Sequence, residues 1–167
     1  MRLLVPGLTM TATMLAGPAA FAEPFCQAVA RAAAAAPSGF AAIRGPVNAA
    51  AHTSSFDVYA ARTALPGAKD CSITVPEESG LGPPSYACEF SSAARPRTTI
   101  TRLAAELARC VGADMSKPPP FVTGPEGPSL GFTAKSVRYD LSATRANGKI
   151  GPWVVTVTMG PSSPDQR

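Results

Sequence analysis

The chain of 167 residues contains one histidine and one tryptophan. A serine-hydrolase triad needs a nucleophile, a histidine base and an acid that orients it. His52 is the only base available, with Asp57 five residues on and Ser54 and Ser55 between them. No G-x-S-x-G elbow accompanies it. Redox chemistry of the C-x-x-C type is excluded, because the four cysteines are separated by 45, 17 and 22 residues. Those spacings also lack the close pairs of a structural zinc site, and His52 adds little, so neither a metal nor a cofactor is expected. "GPEGPSLG" has glycines without the lysine and helix start of a phosphate loop. Carboxylates are scattered, with Glu77 and Glu78 in a loop and Asp57, Asp70, Glu89 and Asp140 near strands, so no glycosidase pair stands out. The net charge is +4, and no four cations adjoin. Nucleic-acid binding concentrates positive charge and adds aromatic platforms, and neither is seen.

A membrane span of roughly 20 uninterrupted apolar residues is missing as well. The opening "MRLLVPGLTMTATMLAGPAAFA" has one cation, Arg2, and is broken by Pro6, Gly7, Gly17 and Pro18. It ends in small residues at the positions a signal peptidase reads. We therefore read residues 1–22 as a secretory signal cut after Ala22, which makes the protein periplasmic or secreted. The 145 residues from Glu23 carry 14 cations against 11 acids, since only Arg2 is lost. They suffice for a single domain, 23–167, with one core.

Pattern supplies the elements. "PFCQAVARAAAAA" (24–36) predicts a helix with Pro24 at its first position. A short strand is expected over 40–45. Another is expected over 54–63, with Phe56, Val58 and Ala60 buried and Asp57 and Tyr59 outward. "CSITV" and "YACEF" form a strand pair with Cys71, Ile73, Val75 and Tyr86, Cys88, Phe90 on one face. Pairing Ile73 with Cys88, or sliding by two to set Cys71 against Cys88, keeps that face intact, whereas a slip of one does not. In "TTITRLAAELARCVG" the residues Ile100, Leu103, Ala104, Leu107, Cys110 and Val111 form a helical stripe. Thr98 or Thr99 is its expected N-cap and Gly112 its stop. Residues 117–131, with five prolines, read as a loop, and 160–167 as a flexible tail. "KSVRYDLSA" and "WVVTVTM" predict a hairpin. A three-residue loop Ala146–Asn147–Gly148, with Gly148 left-handed, sets Leu141 against Trp153 and Tyr139 against Val155. Tyr139 and Trp153 are expected to stack across it, as a packing pair or as a platform for a partner. The order gives an α+β class: an antiparallel sheet with two helices on one face.

Four cysteines on apolar faces of an exported chain read as disulfides. The faces favour Cys71 with Cys88 across the hairpin and Cys26 with Cys110 between the helices. The alternative joins a strand cysteine to Cys110, because those faces meet across the core.

The segments "CQAVARAAAAAPSGFAAIRG", "LPGAKDCSI", "YACEF" and "LAAELARCVG" resemble small exported proteobacterial proteins of unassigned function. Their helix–sheet–helix–hairpin order is similar to that of type III secretion chaperones and some periplasmic immunity proteins. The resemblance implies a fold and a habit of binding partners, and it carries over no catalytic residue. The expectation is a non-catalytic envelope protein that binds a protein or peptide through the sheet face or edge opposite the helices. Its rivals are a small hydrolase built on His52, and a carrier with an apolar pocket between helices and sheet.

Overall fold

A computed structural model describes residues 19–78, 81–92, 95–146 and 151–162. Most of the expected signal, residues 1–18, lies outside the described residues. Helix α1 runs Ala19–Ala35, so it starts before Pro24 and holds that proline inside it rather than at its first position. The alanine-rich sequence on both sides has enough helix propensity to tolerate one missing backbone bond. Phe25, Ala28, Val29 and Ala32 recur at helical spacing and are buried. A 3-10 turn, Ala36–Ser38, and a left-handed Gly39 (φ 61°) end the helix. Phe40 follows, also left-handed at φ 64°, although it is not glycine. Its ring is fully buried and stacks on Tyr86 with centroids 6.0 Å apart. That packing offsets a backbone cost of about 1–2 kcal/mol.

Four antiparallel strands come next: β1 (Arg44–Val47), β2 (Phe56–Ala61), β3 (Asp70–Pro76) and β4 (Ser85–Ser92). Residues 41–43 of the first expected strand form a 3-10 turn instead. In β2 the inward face is opposite to expectation. Tyr59 and Ala61 pack on the core while Ala60 is exposed. Tyr59 can face inward because its body is apolar and its hydroxyl reaches out to Asp57, 3.2 Å away. Between β3 and β4 the register sets Cys71 opposite Cys88 and Ile73 opposite Tyr86.

Helix α2 spans Pro96–Val111. Its N-cap is Arg95, with no side-chain capping bond, rather than Thr98 or Thr99, because Pro96 at the first turn starts the helix earlier. Ile100, Leu103, Ala104, Leu107 and Val111 are buried, and Gly112 closes the helix at φ 70°. Arg102 and Glu106 pair on the outside at 2.9 Å.

The proline-rich stretch is not all loop. It contains β5 (Val122–Thr123) and the start of β6 (Pro128–Ala134). Leu130 pairs with Leu141 and Phe132 with Tyr139, which gives the segment an apolar face hidden by its prolines. β6 turns into β7 (Val137–Arg145) through Lys135 and Ser136, both at positive φ. β8 (Trp153–Pro161) takes in the start of the expected tail; 163–167 lie outside the described residues. The last hairpin is displaced four residues from the expected register. Leu141 opposes Val157, Tyr139 opposes Met159, and Arg145 opposes Trp153. The connection is therefore longer than three residues, with Ala146 N donating to Pro152 O at 3.0 Å where it closes. Because the displacement is even, the same residues stay inside. Asn147 and Gly148 lie outside the described residues.

All eight strands join one antiparallel sheet in the order β1-β2-β3-β4-β8-β7-β6-β5. The architecture is sheet-dominated: two halves, each a helix followed by four strands, meet along β4 and β8. Buried residues of both helices form one core with alternate strand residues, among them Ile73, Cys88, Leu141, Val155 and Val157. Two disulfides brace it, Cys26–Cys110 between the helices and Cys71–Cys88 across β3 and β4.

Candidate functional site

Strand alternation that buries one set of side chains turns the other set outward. On β7 and β8 the outward set includes Ser142, Thr144, Thr156 and Thr158, and on β3 Ser72 and Thr74, all half-buried. Small hydroxyl side chains dominate these outward positions. Two charged features interrupt them: Asp70 opposite Glu89 on β3 and β4, and a pair, Arg138 and Asp140, in which Nε donates to both carboxylate oxygens (3.0 and 2.9 Å) and Nη2 to Oδ1 (2.8 Å). Bidentate geometry of this kind is strong and directional, and the carboxylate beside it raises the Arg138 pKa further. The pair lies over Gly131, which opposes Asp140 on β6, and a Cβ at 131 would collide with both partners. Next to the pair, Pro83, Pro84, Thr158 and Gly160 complete a hollow of about 380 Å³.

The sheet's edges are poor templates for an added strand. β1 carries Pro46 and an irregular register between Arg44 and Val47. β5 is two residues long and is followed by Gly124 and Pro125. Natural sheets blunt exposed edges with such features.

The aromatic stack expected across the last hairpin does not form. Tyr139 is 1% exposed and stacks on Phe132, centroids 5.0 Å apart, and burial pushes its hydroxyl up to about 12. Trp153 belongs to the inward set, packs on the core, and lies under the Arg145 guanidinium at 4.4 Å. The displaced register separates the two rings.

His52 and Asp57 do meet, with Nδ1 and Oδ1 3.1 Å apart. Among the described residues no side-chain bond joins Ser54 or Ser55 to His52. Glu77 joins this corner from the end of β3, which no spacing in the sequence announces. Between helices and sheet, Ala30, Ala33, Val111, Val137 and Tyr139 border a groove of about 300 Å³. That is the lower limit of ligand pockets, so the carrier reading gains little from it. Sequence reasoning passed over the outward hydroxyls, although the alternation of Thr156 and Thr158 with Val155 and Val157 carries them.

No family model, no curated protein and no solved structure matches the chain. The resemblance to secretion chaperones and immunity proteins therefore gains no support. The two disulfides accord with an oxidising compartment, and no helix among the described residues is long and apolar enough to cross a membrane.

Proposed function

We propose that this is a non-catalytic exported protein whose two helices cover one face of the sheet and whose other face docks a protein or peptide. The carrying observation is the outward face itself. Protein interfaces deplete lysine and glutamate, and serine with them, relative to the rest of the surface. Here the outward positions of β3, β4, β7 and β8 are mostly small hydroxyls with the internally paired Arg138–Asp140 and, opposite each other on β3 and β4, Asp70 and Glu89; lysine is missing from them. Blunted edges favour the face over strand addition. The hollow beside Arg138 would seat one side chain of the partner. The test is capture from periplasm by the tagged protein, repeated with Ser142→Arg and Thr156→Arg, which place bulk and charge on the face. A partner retained by the wild type and lost by both variants supports the reading. Equal recovery by all three counts decisively against it.

A further inference from the structure

The geometry points to a divalent-metal site, selective for a borderline ion such as Zn²⁺, formed by His52, Asp57 and Glu77 at the end of the β2–β3 ladder. One ligand atom from each lies within 4.8 Å of the others. Three separate segments supply them, and backbone bonds fix each one. His52 N donates to Asn48 O at 3.1 Å, closing the turn that carries the imidazole. Asp57 pairs with Val75 in the ladder. Glu77 N donates to Ser55 O at 3.0 Å, which extends the ladder past Pro76 and brings the glutamate back beside Asp57.

Two features separate this corner from an ordinary polar patch. The Tyr59 hydroxyl donates to Asp57 Oδ2 at 3.2 Å, so one carboxylate oxygen is held from behind while Oδ1 faces His52. Metal-ligating groups are characteristically oriented by such outer hydrogen bonds. In addition, among the described residues no lysine or arginine forms an ion pair with Asp57 or Glu77, although the chain is net positive. Two carboxylates held close repel each other unless a cation lies between them. One imidazole nitrogen and two carboxylate oxygens suit Zn²⁺ and disfavour Ca²⁺, which takes six to eight oxygens. Water would complete the tetrahedron. The sequence pointed away from a metal because it offered only cysteine spacing to judge by, and these ligands come together across a hairpin.

The test is calorimetric titration of the oxidised protein with ZnCl₂, and separately with CaCl₂. The expected result is one equivalent of Zn²⁺ bound at least about tenfold more tightly than Ca²⁺. Binding should be lost in His52→Ala and weakened by about tenfold or more in both Glu77→Gln and Tyr59→Phe. Far-UV circular dichroism of the variants should match wild type, since His52 and Glu77 are exposed. Absence of a one-to-one isotherm in the wild type overturns the site. So does an unchanged isotherm in His52→Ala.

Discussion

Replacing Cys26 and Cys110 together by alanine isolates the contribution of the bridge that joins the two helices. The bond closes a separation of 84 residues. With Cys71–Cys88 intact, the separation of 17 between those two is bypassed, and the effective loop shortens from 84 to about 67. Loop-closure entropy for that length corresponds to about 4.4 kcal/mol at 25 °C. Both cysteines are only half-buried, so alanine opens no cavity in the core and the entropic term stands nearly alone. Against a total stability of about 5–15 kcal/mol, the loss is large. In urea, with a slope of about 2 kcal/mol per molar, the midpoint should fall by roughly 2 M. Where the two helices are already together in the transition state the loss appears as slower refolding, and where they are not, as faster unfolding. Equilibrium and stopped-flow unfolding measure both. A midpoint shift below about 0.5 M would refute the entropic account.

Alkali should destabilise the protein through two buried tyrosines. Tyr86 and Tyr139 both have pKa values raised above 10 by burial, the second to about 12. The unfolded chain ionises first, so stability is intact below pH 10 and declines above it, by at most about 1.4 kcal/mol per pH unit for each tyrosine; Tyr139→Phe should flatten that slope in thermal melts from pH 9 to 12. Lys135→Asn with Ser136→Gly should raise the melting temperature by several degrees, since two non-glycine residues at φ 48° and 66° give way to residues suited to that turn at roughly 1 kcal/mol each. Gly127→Ala should cost about 2–3 kcal/mol, because φ is 144° there and a Cβ would collide with the Ala143 carbonyl and the Trp153 ring; a mild effect in chemical denaturation would contradict that crowding.

What could be read from the sequence follows from how local each signal is. Helix α2 was legible because its apolar stripe and charged face separate cleanly at 3.6-residue spacing. Strands β3 and β4 were legible because the alternation through Ile73 and Cys88 admits few registers. Strand β2 misled because Val58 is more apolar than Tyr59, yet Tyr59 is the one that packs, its ring covered by Arg44 at 5.2 Å. Strands β5 and β6 were concealed by five prolines, since Leu130 and Phe132 gain a face only by pairing with β7. In the final hairpin the four-residue displacement sets Arg145 over the Trp153 ring at 4.4 Å, a cross-strand contact that a short-turn reading does not anticipate. His52 and Asp57 are near neighbours in sequence and were singled out; Glu77 comes from across a ladder, where no local pattern could announce it.

Strand β8 comes last of the eight in chain order, yet it lies at the centre of the sheet, hydrogen-bonded to β4 on one side and β7 on the other. Until those residues are in place, both neighbours have unpaired ladders ready to adhere to an extended peptide. Closure of the sheet thus waits on β8, and a chain stopped between Arg145 and Trp153 would hold two half-sheets with nothing to join them.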